Sequence, residues 1–256
     1  MLICIDIGNT NITFGLYEGE TLGPRWRLST NHERMPDEYG IQLVNLINYK
    51  KINTDLITDA IIASVVPPLT PKWVAACENY LKISPIIVAS GIRTGVNNLY
   101  HEPNAVGADR IVNAVAAFKR YGGPACIVDF GTATTFDAIS DKGDYLGGAI
   151  SPGIGIAAEA LFQRTAKLPR VDLSRPPAAI GRTTTHSMQS GLLFGYVGLV
   201  EGMVKRFKHE LGDNTKVIAT GGLSEIIAKE TKVIDFIAPW LTLDGLRMIY
   251  ELNKKG

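Results

Sequence analysis

The sequence predicts two similar α/β domains, each opening on a strand hairpin, and three observations carry that expectation. Met1–Glu18 reads MLICIDIGNTNITFGLYE, an apolar, β-branched strand ending in Asp6, then a polar turn, then a returning strand. Cys126–Phe136 reads CIVDFGTATTF and repeats the apolar strand, the Asp, the Gly and the Thr-rich return. The register of the repeat also holds: Asp6 matches Asp129, Gly8 matches Gly131, Phe14 matches Phe136, Gly19 matches Gly143, and Leu22-Gly23 match Leu146-Gly147, at offsets of 122 to 124 residues. Matches in this order, at about half the length of the 256-residue chain, indicate duplication rather than coincidence.

The elements of the first half follow from local pattern. Leu2–Ile5 and Ile12–Tyr17 are strands around the turn Gly8-Asn9-Thr10-Asn11, and after Glu18-Gly19-Glu20 a third strand at Arg25–Ser29 completes an antiparallel meander. Tyr39, Leu43, Leu46 and Ile47 share one face of a helix over about Asp37–Lys50. Ile61–Val66 is a buried strand stopped by Pro67-Pro68. Thr70 suits an N-cap with Pro71 in the first turn, and Trp73, Cys77, Tyr80 and Leu81 give that helix its apolar face. A short strand, Ile86–Ala89, precedes a helix from Asn104 to Tyr121 that is closed by Gly122-Gly123-Pro124.

In the second half, a strand at Tyr145–Ile150 follows the repeated hairpin, then a Gly/Pro turn at Ser151–Gly155 and a helix to about Arg164. Lys167–Pro177 reads as a loop. Ser187–Leu211 is helical despite Gly191, Gly195, Gly198 and Gly202, and glycines spaced about four apart point to close packing against another helix. Val217–Ala219 is a strand leading into Thr220-Gly221-Gly222-Leu223-Ser224 and a short helix, and the final helix covers roughly Asp244–Leu252.

Composition narrows the function classes. Net charge is +1 with 20% charged residues, which gives no basic excess for nucleic acid or for an acidic membrane surface. No run reaches the ~18 apolar residues a membrane span needs, and the chain opens on a strand rather than a signal segment, so a cytoplasmic protein is expected. Cys4, Cys77 and Cys126 are far apart and lie in apolar runs, which fits neither a disulfide framework nor a metal knuckle. His32, His101, His186 and His209 show no pair at ligand spacing.

The chemistry concentrates in the two hairpins. A carboxylate at the end of a buried strand is costly unless a cation or hydrogen-bond donors meet it, and the small residues, hydroxyls and backbone N–H groups after Asp6 suit phosphate oxygens. Two better-known phosphate motifs are absent. Gly153-Ile154-Gly155-Ile156-Ala157-Ala158 fits a dinucleotide fingerprint, but Asp172 lies in a Pro-rich loop instead of ending a second strand, and there is no Gly-x-x-x-x-Gly-Lys-Ser/Thr. Nucleotide phosphates would then be held by the two Asp-x-Gly hairpins facing each other across a cleft.

This arrangement resembles the superfamily of acetate and sugar kinases, heat-shock ATPases and actin, with Asp6–Thr13, Asp129–Thr132 and Thr220–Ser224 matching its first phosphate turn, second phosphate turn and adenosine turn in order. Within it, the sequence is similar to type III pantothenate kinases through Asp6-Ile7-Gly8-Asn9-Thr10, Gly107-Ala108-Asp109-Arg110, Asp129-Phe130-Gly131-Thr132, and Gly147-Gly148 with Ser151-Pro152-Gly153. The resemblance implies a duplicated ribonuclease H-like fold. Residues 1–115 would carry the first hairpin, and residues 116–256 the second hairpin and the adenosine turn.

It also implies a reaction: phosphorylation of pantothenate by ATP with Mg2+, the first step of coenzyme A biosynthesis. ATP would contact Asp6, Ile7, Gly8, Asn9, Thr10, Asn11, Ile12, Thr13, Thr132, Gly221 and Gly222. Asp129 would hold a monovalent cation, K+ or NH4+, and Asp6 the nucleotide's Mg2+ directly or through water. Asp109 would accept the proton of the substrate hydroxyl, a role that its place near a helix N-terminus also suits. Arg110 can meet the substrate carboxylate bidentately, and Tyr100, Gly107, Ala108 and a threonine of the run Thr183-Thr184-Thr185, here taken as Thr184, would complete the pantothenate site. A homodimer is implied, with Thr184 reaching the neighbouring subunit's substrate. Two rivals share the fold: a kinase for another small alcohol, and a transcription-related regulator of the Bvg accessory factor type.

Overall fold

Each half of the chain builds a mixed five-stranded sheet, and in the computed structural model, which describes residues 1–254, the two sheets have the same strand order. In the first half β1 (Leu2–Ile7), β2 (Asn11–Glu18) and β3 (Thr21–Ser29) form the antiparallel meander. Helix α1 (Pro36–Tyr49) leads to β4 (Asp59–Ser64). Helix α2 (Thr70–Ala76), continued by a wider π turn at Cys77–Leu81, leads to β5 (Ile86–Ile87). The order is β3-β2-β1-β4-β5, with β4 and β5 parallel to β1. β1 is central, which is why its residues are apolar on both faces. Ile3, Ile5 and Ile7 join the core of α1 and α2 around Trp73, Tyr39 and Leu43, all fully buried.

Helix α3 (Ala108–Tyr121) leads into the second sheet. Strands β6 (Ala125–Phe130), β7 (Ala133–Ile139) and β8 (Tyr145–Pro152) repeat the meander. Helices α4 (Ile154–Arg164) and α5 (Thr184–Leu211) follow, then β9 (Lys216–Gly221), α6 (Ser224–Ala228) and β10 (Phe236–Ile237). The order β8-β7-β6-β9-β10 mirrors the first sheet element for element, with β9 and β10 parallel to β6 and its neighbour. Cys126, Val128 and Phe130 pack with Ile154 and with the buried face of α5: Leu192, Leu193, Val197 and Val200.

The last helix, α7 (Leu241–Asn253), belongs to the first unit: backbone contacts group it with Met1–Ala116, while Ala117–Trp240 form the second unit. The sequence division at 115/116 left this helix with the second half. Its apolar face decides the matter, because Leu241, Leu243, Leu246 and Ile249 are buried and the helix lies against β1, β2 and β4. Tyr17 donates a hydrogen bond of 2.7 Å to Asp244, fixing α7 to β2.

Several boundaries differ from expectation for local reasons. β3 begins at Thr21, tolerating Gly23-Pro24 beside a bulge opposite Gly15–Tyr17. Leu69, fully buried, occupies the N-cap of α2 with no side-chain cap, so Thr70 is the first helical residue. α3 starts at Ala108 instead of Asn104, since Pro103–Ala105 make a separate 3-10 turn, and Asp109 therefore falls in the first helical turn. Around Gly191, Gly195 and Gly198 a Cβ would meet nothing within 4 Å, so the close helix packing that their spacing suggested does not occur among the described residues. Cys4, Cys77 and Cys126 are buried free thiols, and burial pushes Cys77 and Cys126 up to about 12.

Candidate functional site

The first hairpin places Asp6 at the end of β1, paired with Thr13, and leaves Gly8, Asn9, Thr10 and Asn11 as the tip between the paired residues Ile7 and Ile12. Ile7 and Ile12 are fully buried and anchor it, while Asn9, Thr10 and Asn11 are exposed. The Gly8 amide donates to the Asn11 carbonyl at 3.0 Å, and a Cβ on Gly8 would sit 2.9 Å from that same oxygen, so the tip has no room for a side chain there. Thr30 braces the turn from the end of β3: its amide donates to the Thr10 carbonyl at 2.9 Å and its hydroxyl to the Gly8 carbonyl at 2.6 Å. Sequence reading missed Thr30, because the strand register that delivers it is not visible before β2 and β3 are paired.

The same sheet edge receives Asp109. The Val65 amide, just beyond β4, donates to the Ile7 carbonyl at 3.0 Å, and Val65 Cγ1 lies 3.3 Å from where a Cβ on Gly107 would stand. Through Val65, then, the first hairpin and the Gly107–Arg110 quartet meet at the carboxyl end of parallel strands, the usual place for a ligand in such sheets. Asp109 Oδ1 accepts from the Arg110 amide at 2.8 Å and turns back over Gly107, where a Cβ would come within 2.5 Å of it. Glycine at 107 is what lets the carboxylate fold into this position. Burial pushes the Asp109 carboxyl above the ordinary carboxylate value, opposed in part by the Arg110 amide and the Arg110 charge. A carboxylate so raised is better matched to accept a proton near neutral pH than a solvated one.

In the second unit, Asp129 stands one residue before the end of β6, opposite Thr135, and its carboxylate is fenced by glycine. A Cβ on Gly221 would lie 2.5 Å from Asp129 Oδ1, one on Gly131 would lie 3.5 Å away, and Gly221 has φ +86°. Gly221 closes β9 beside Phe130, with the Ser224 hydroxyl donating to its carbonyl at 2.8 Å, while Gly222 is exposed. Thr132, at the hairpin tip, accepts the Gly153 amide at 3.1 Å. A Cβ on Gly153 would reach 2.2 Å from that carbonyl, so the Ser151-Pro152-Gly153 motif packs directly on the second hairpin. Asp129, Gly131, Thr132, Gly153 and Gly221 thus form one cluster.

The Asp129 carboxylate, a hard oxygen donor for a cation, sits in a glycine-lined cradle. Among the described residues no group of three or more His, Cys, Asp and Glu could hold a metal ion. No described helix is long and apolar enough to cross a membrane.

Two expected substrate residues are exposed. Tyr100 is 39% exposed, with its amide hydrogen-bonded to Asn98. Thr184 is the exposed first residue of α5. Its neighbour Thr183 is the N-cap, accepting from the His186 amide at 3.2 Å, so the threonine run is partly explained by helix capping.

Comparison with known proteins agrees with this architecture. The profile of the family described as type III pantothenate kinase matches residues 2–206. A type III pantothenate kinase from Roseiflexus castenholzii is 52% identical over 255 residues, covering all of both chains, and one from Myxococcus xanthus is 50% identical over 253 residues, 99% of each. Among solved structures, a Campylobacter jejuni protein provisionally placed in the Baf family of transcriptional activators aligns over 98% of both chains with TM-score 0.61 at 20% identity. An inorganic polyphosphate/ATP-glucomannokinase from Arthrobacter aligns over 99% of both with TM-score 0.50 at 14% identity. At such identities the structural matches speak for the actin-like ATPase fold, and the sequence matches for the family. The chain belongs to the type III pantothenate kinase family.

Proposed function

We propose that this chain transfers the terminal phosphoryl group of ATP to the terminal hydroxyl of pantothenate, giving 4'-phosphopantothenate at the start of coenzyme A biosynthesis. What carries this reading is the match to type III pantothenate kinases over essentially the whole length, about half of it identical. In the proposed mechanism the phosphates lie on the first hairpin, from Asp6 to Thr13, whose turn Thr30 braces through the Gly8 and Thr10 carbonyls. Thr132, Gly221 and Gly222 serve the nucleotide from the second unit. Asp109 accepts the hydroxyl proton as the new O–P bond forms and the bond to ADP breaks. Arg110 meets the pantothenate carboxylate, with Tyr100, Gly107, Ala108 and Thr184 around the rest of the substrate.

The nucleotide's Mg2+ and a K+ or NH4+ ion at Asp129 would supply positive charge beside the phosphates. Asp6 would orient the former and Asp129 would hold the latter. The working form is a cytoplasmic homodimer. Gly191, Gly195 and Gly198 leave an exposed, small-residue face on α5 that no described residue covers, and Thr184, exposed at the start of that helix, would serve the second copy's substrate.

A coupled assay tests the reaction with ATP, Mg2+, KCl and either pantothenate or a panel of other small alcohols. ADP should form with pantothenate and not with the panel. Turnover of a different alcohol, or none with any, contradicts the reading.

A further inference from the structure

We propose that the C-terminal helix α7 is a positioning element for the proton acceptor: its Gly245 and Thr242 set the placement of α3, and with it Asp109. This rests on the reading of Asp109 given above. The contact is close. A Cβ on Gly245 would lie 2.1 Å from the Val112 carbonyl oxygen and 2.7 Å from Val112 Cγ1, so helix α7 touches the backbone of α3 where only glycine fits. Beside it the Thr242 hydroxyl donates to Asn113 Oδ1 at 2.8 Å, and Asn113 is 1% exposed. Val112 and Asn113 lie three and four residues beyond Asp109, one helical turn along α3, so a push at this point is delivered to the turn that carries the carboxylate.

Helix α7 cannot yield instead. Leu241, Leu243, Leu246 and Ile249 are buried, Tyr17 bonds Asp244, and Leu243 packs against the backbone of β2, 3.0 Å from where a Cβ on Gly15 would stand. The Arg247 guanidinium lies 5.8 Å from the centre of the Tyr17 ring. With α7 pinned to the sheet, any side chain at 245 must displace α3. A displacement on the order of 1 Å is enough to cost about 10² in rate at a reacting group. The opening of the α3 turn is itself tight, since Asp109 folds over Gly107 with Val65 alongside, so a shifted helix cannot keep the carboxylate in its desolvated place.

The test compares four variants of the full chain: Gly245→Ala, Thr242→Val, Thr242→Ser and Ile47→Ala. Gly245→Ala should lower kcat by about 10² and Thr242→Val by about tenfold, with KM for ATP unchanged. In both, the acid limb of the kcat/KM profile should move to lower pH as the Asp109 carboxyl gains solvent. Thr242→Ser, which keeps the hydroxyl, should restore both readouts. Ile47→Ala, which truncates a buried side chain of α1 away from α7 and α3, should lower Tm while leaving kcat and the acid limb in place, which separates positioning from loss of stability. Wild-type kcat and acid limb in folded Gly245→Ala and Thr242→Val overturn the proposal, and if Gly245→Ala does not fold, the Thr242 pair decides alone. Should the unaltered protein not phosphorylate pantothenate, the kinase reading fails separately. The carboxyl carbon of Asp109 can then be titrated by NMR in unaltered and Thr242→Val protein, where equal midpoints overturn the positioning role and a lower midpoint in the variant supports it.

Discussion

The two hairpins that open the units are copies of one design, and they differ at the tip by one residue. Between the paired residues Ile7 and Ile12 stand Gly8 to Asn11, while between Phe130 and Thr134 stand only Gly131 to Ala133. Here the repeat offset drops from 123 at Gly8/Gly131 to 122 at Phe14/Phe136. The longer first tip projects exposed polar residues and needs an external brace, which Thr30 supplies. The shorter second tip is packed on by Gly153, and its Asp is walled by Gly221. The first tip exposes polar side chains on a braced turn, and the second sets its carboxylate against glycine. In the proposed reaction this divides the work between phosphate binding and ion seating.

The largest expected effect lies outside both hairpins. Asp109→Asn removes the proton acceptor and should lower kcat by about 10² to 10⁴ with nucleotide affinity nearly intact, as read by steady-state kinetics and ATP titration. The same substitution should stabilise the fold at neutral pH. Because burial raises this carboxyl above its unfolded value, the native state resists ionisation, so the carboxylic acid form costs nothing below the unfolded value and the ionised form costs its full amount above the folded one. The Tm difference between Asp109→Asn and the unaltered protein should therefore be positive at pH 7 and vanish as pH falls below the ordinary carboxylate range.

Next come the glycines of the two tips, which sharpen the comparison. Gly221→Ala meets Asp129 Oδ1 at 2.5 Å and must hold φ near +86°, so it should cost on the order of 1–3 kcal/mol of stability and displace the Asp129 carboxylate. Gly8→Ala meets a single carbonyl at 2.9 Å without a left-handed backbone, so denaturant unfolding should show the smaller loss. Equal losses would break the claim that the second tip is the stiffer of the two. The smallest effect belongs to the brace. Thr30→Val removes one hydrogen bond to Gly8, about 1 kcal/mol, and should raise KM for ATP more than KM for pantothenate.

Much of this was legible because duplication turns one hairpin into a control for the other. Asp6 and Asp129 could be placed at strand ends from pattern alone, and Asp109 near a helix start, because Gly107 and the following apolar spacing mark it. What was not legible depends on tertiary pairing. Thr30 and Val65 become site residues only when β3 lies on β2 and β4 on β1. The last helix carries no local sign of which sheet it covers, and its return to the first unit is set by the fit of Leu243 and Gly245 against β2 and α3. The glycine spacing of α5 was visible, but whether such a face meets its own chain or another copy is a property of the packing.

The most direct test of the divided hairpins is a K+ titration of the initial rate, at saturating ATP and pantothenate, in the unaltered protein and in Asp6→Asn and Asp129→Asn. The account predicts low rates in tetramethylammonium or Na+ buffer that rise with K+ or NH4+ in the unaltered protein. In Asp6→Asn that dependence should persist on a slower rate, and in Asp129→Asn it should be lost. The same K+ dependence in Asp129→Asn as in the unaltered protein would contradict it.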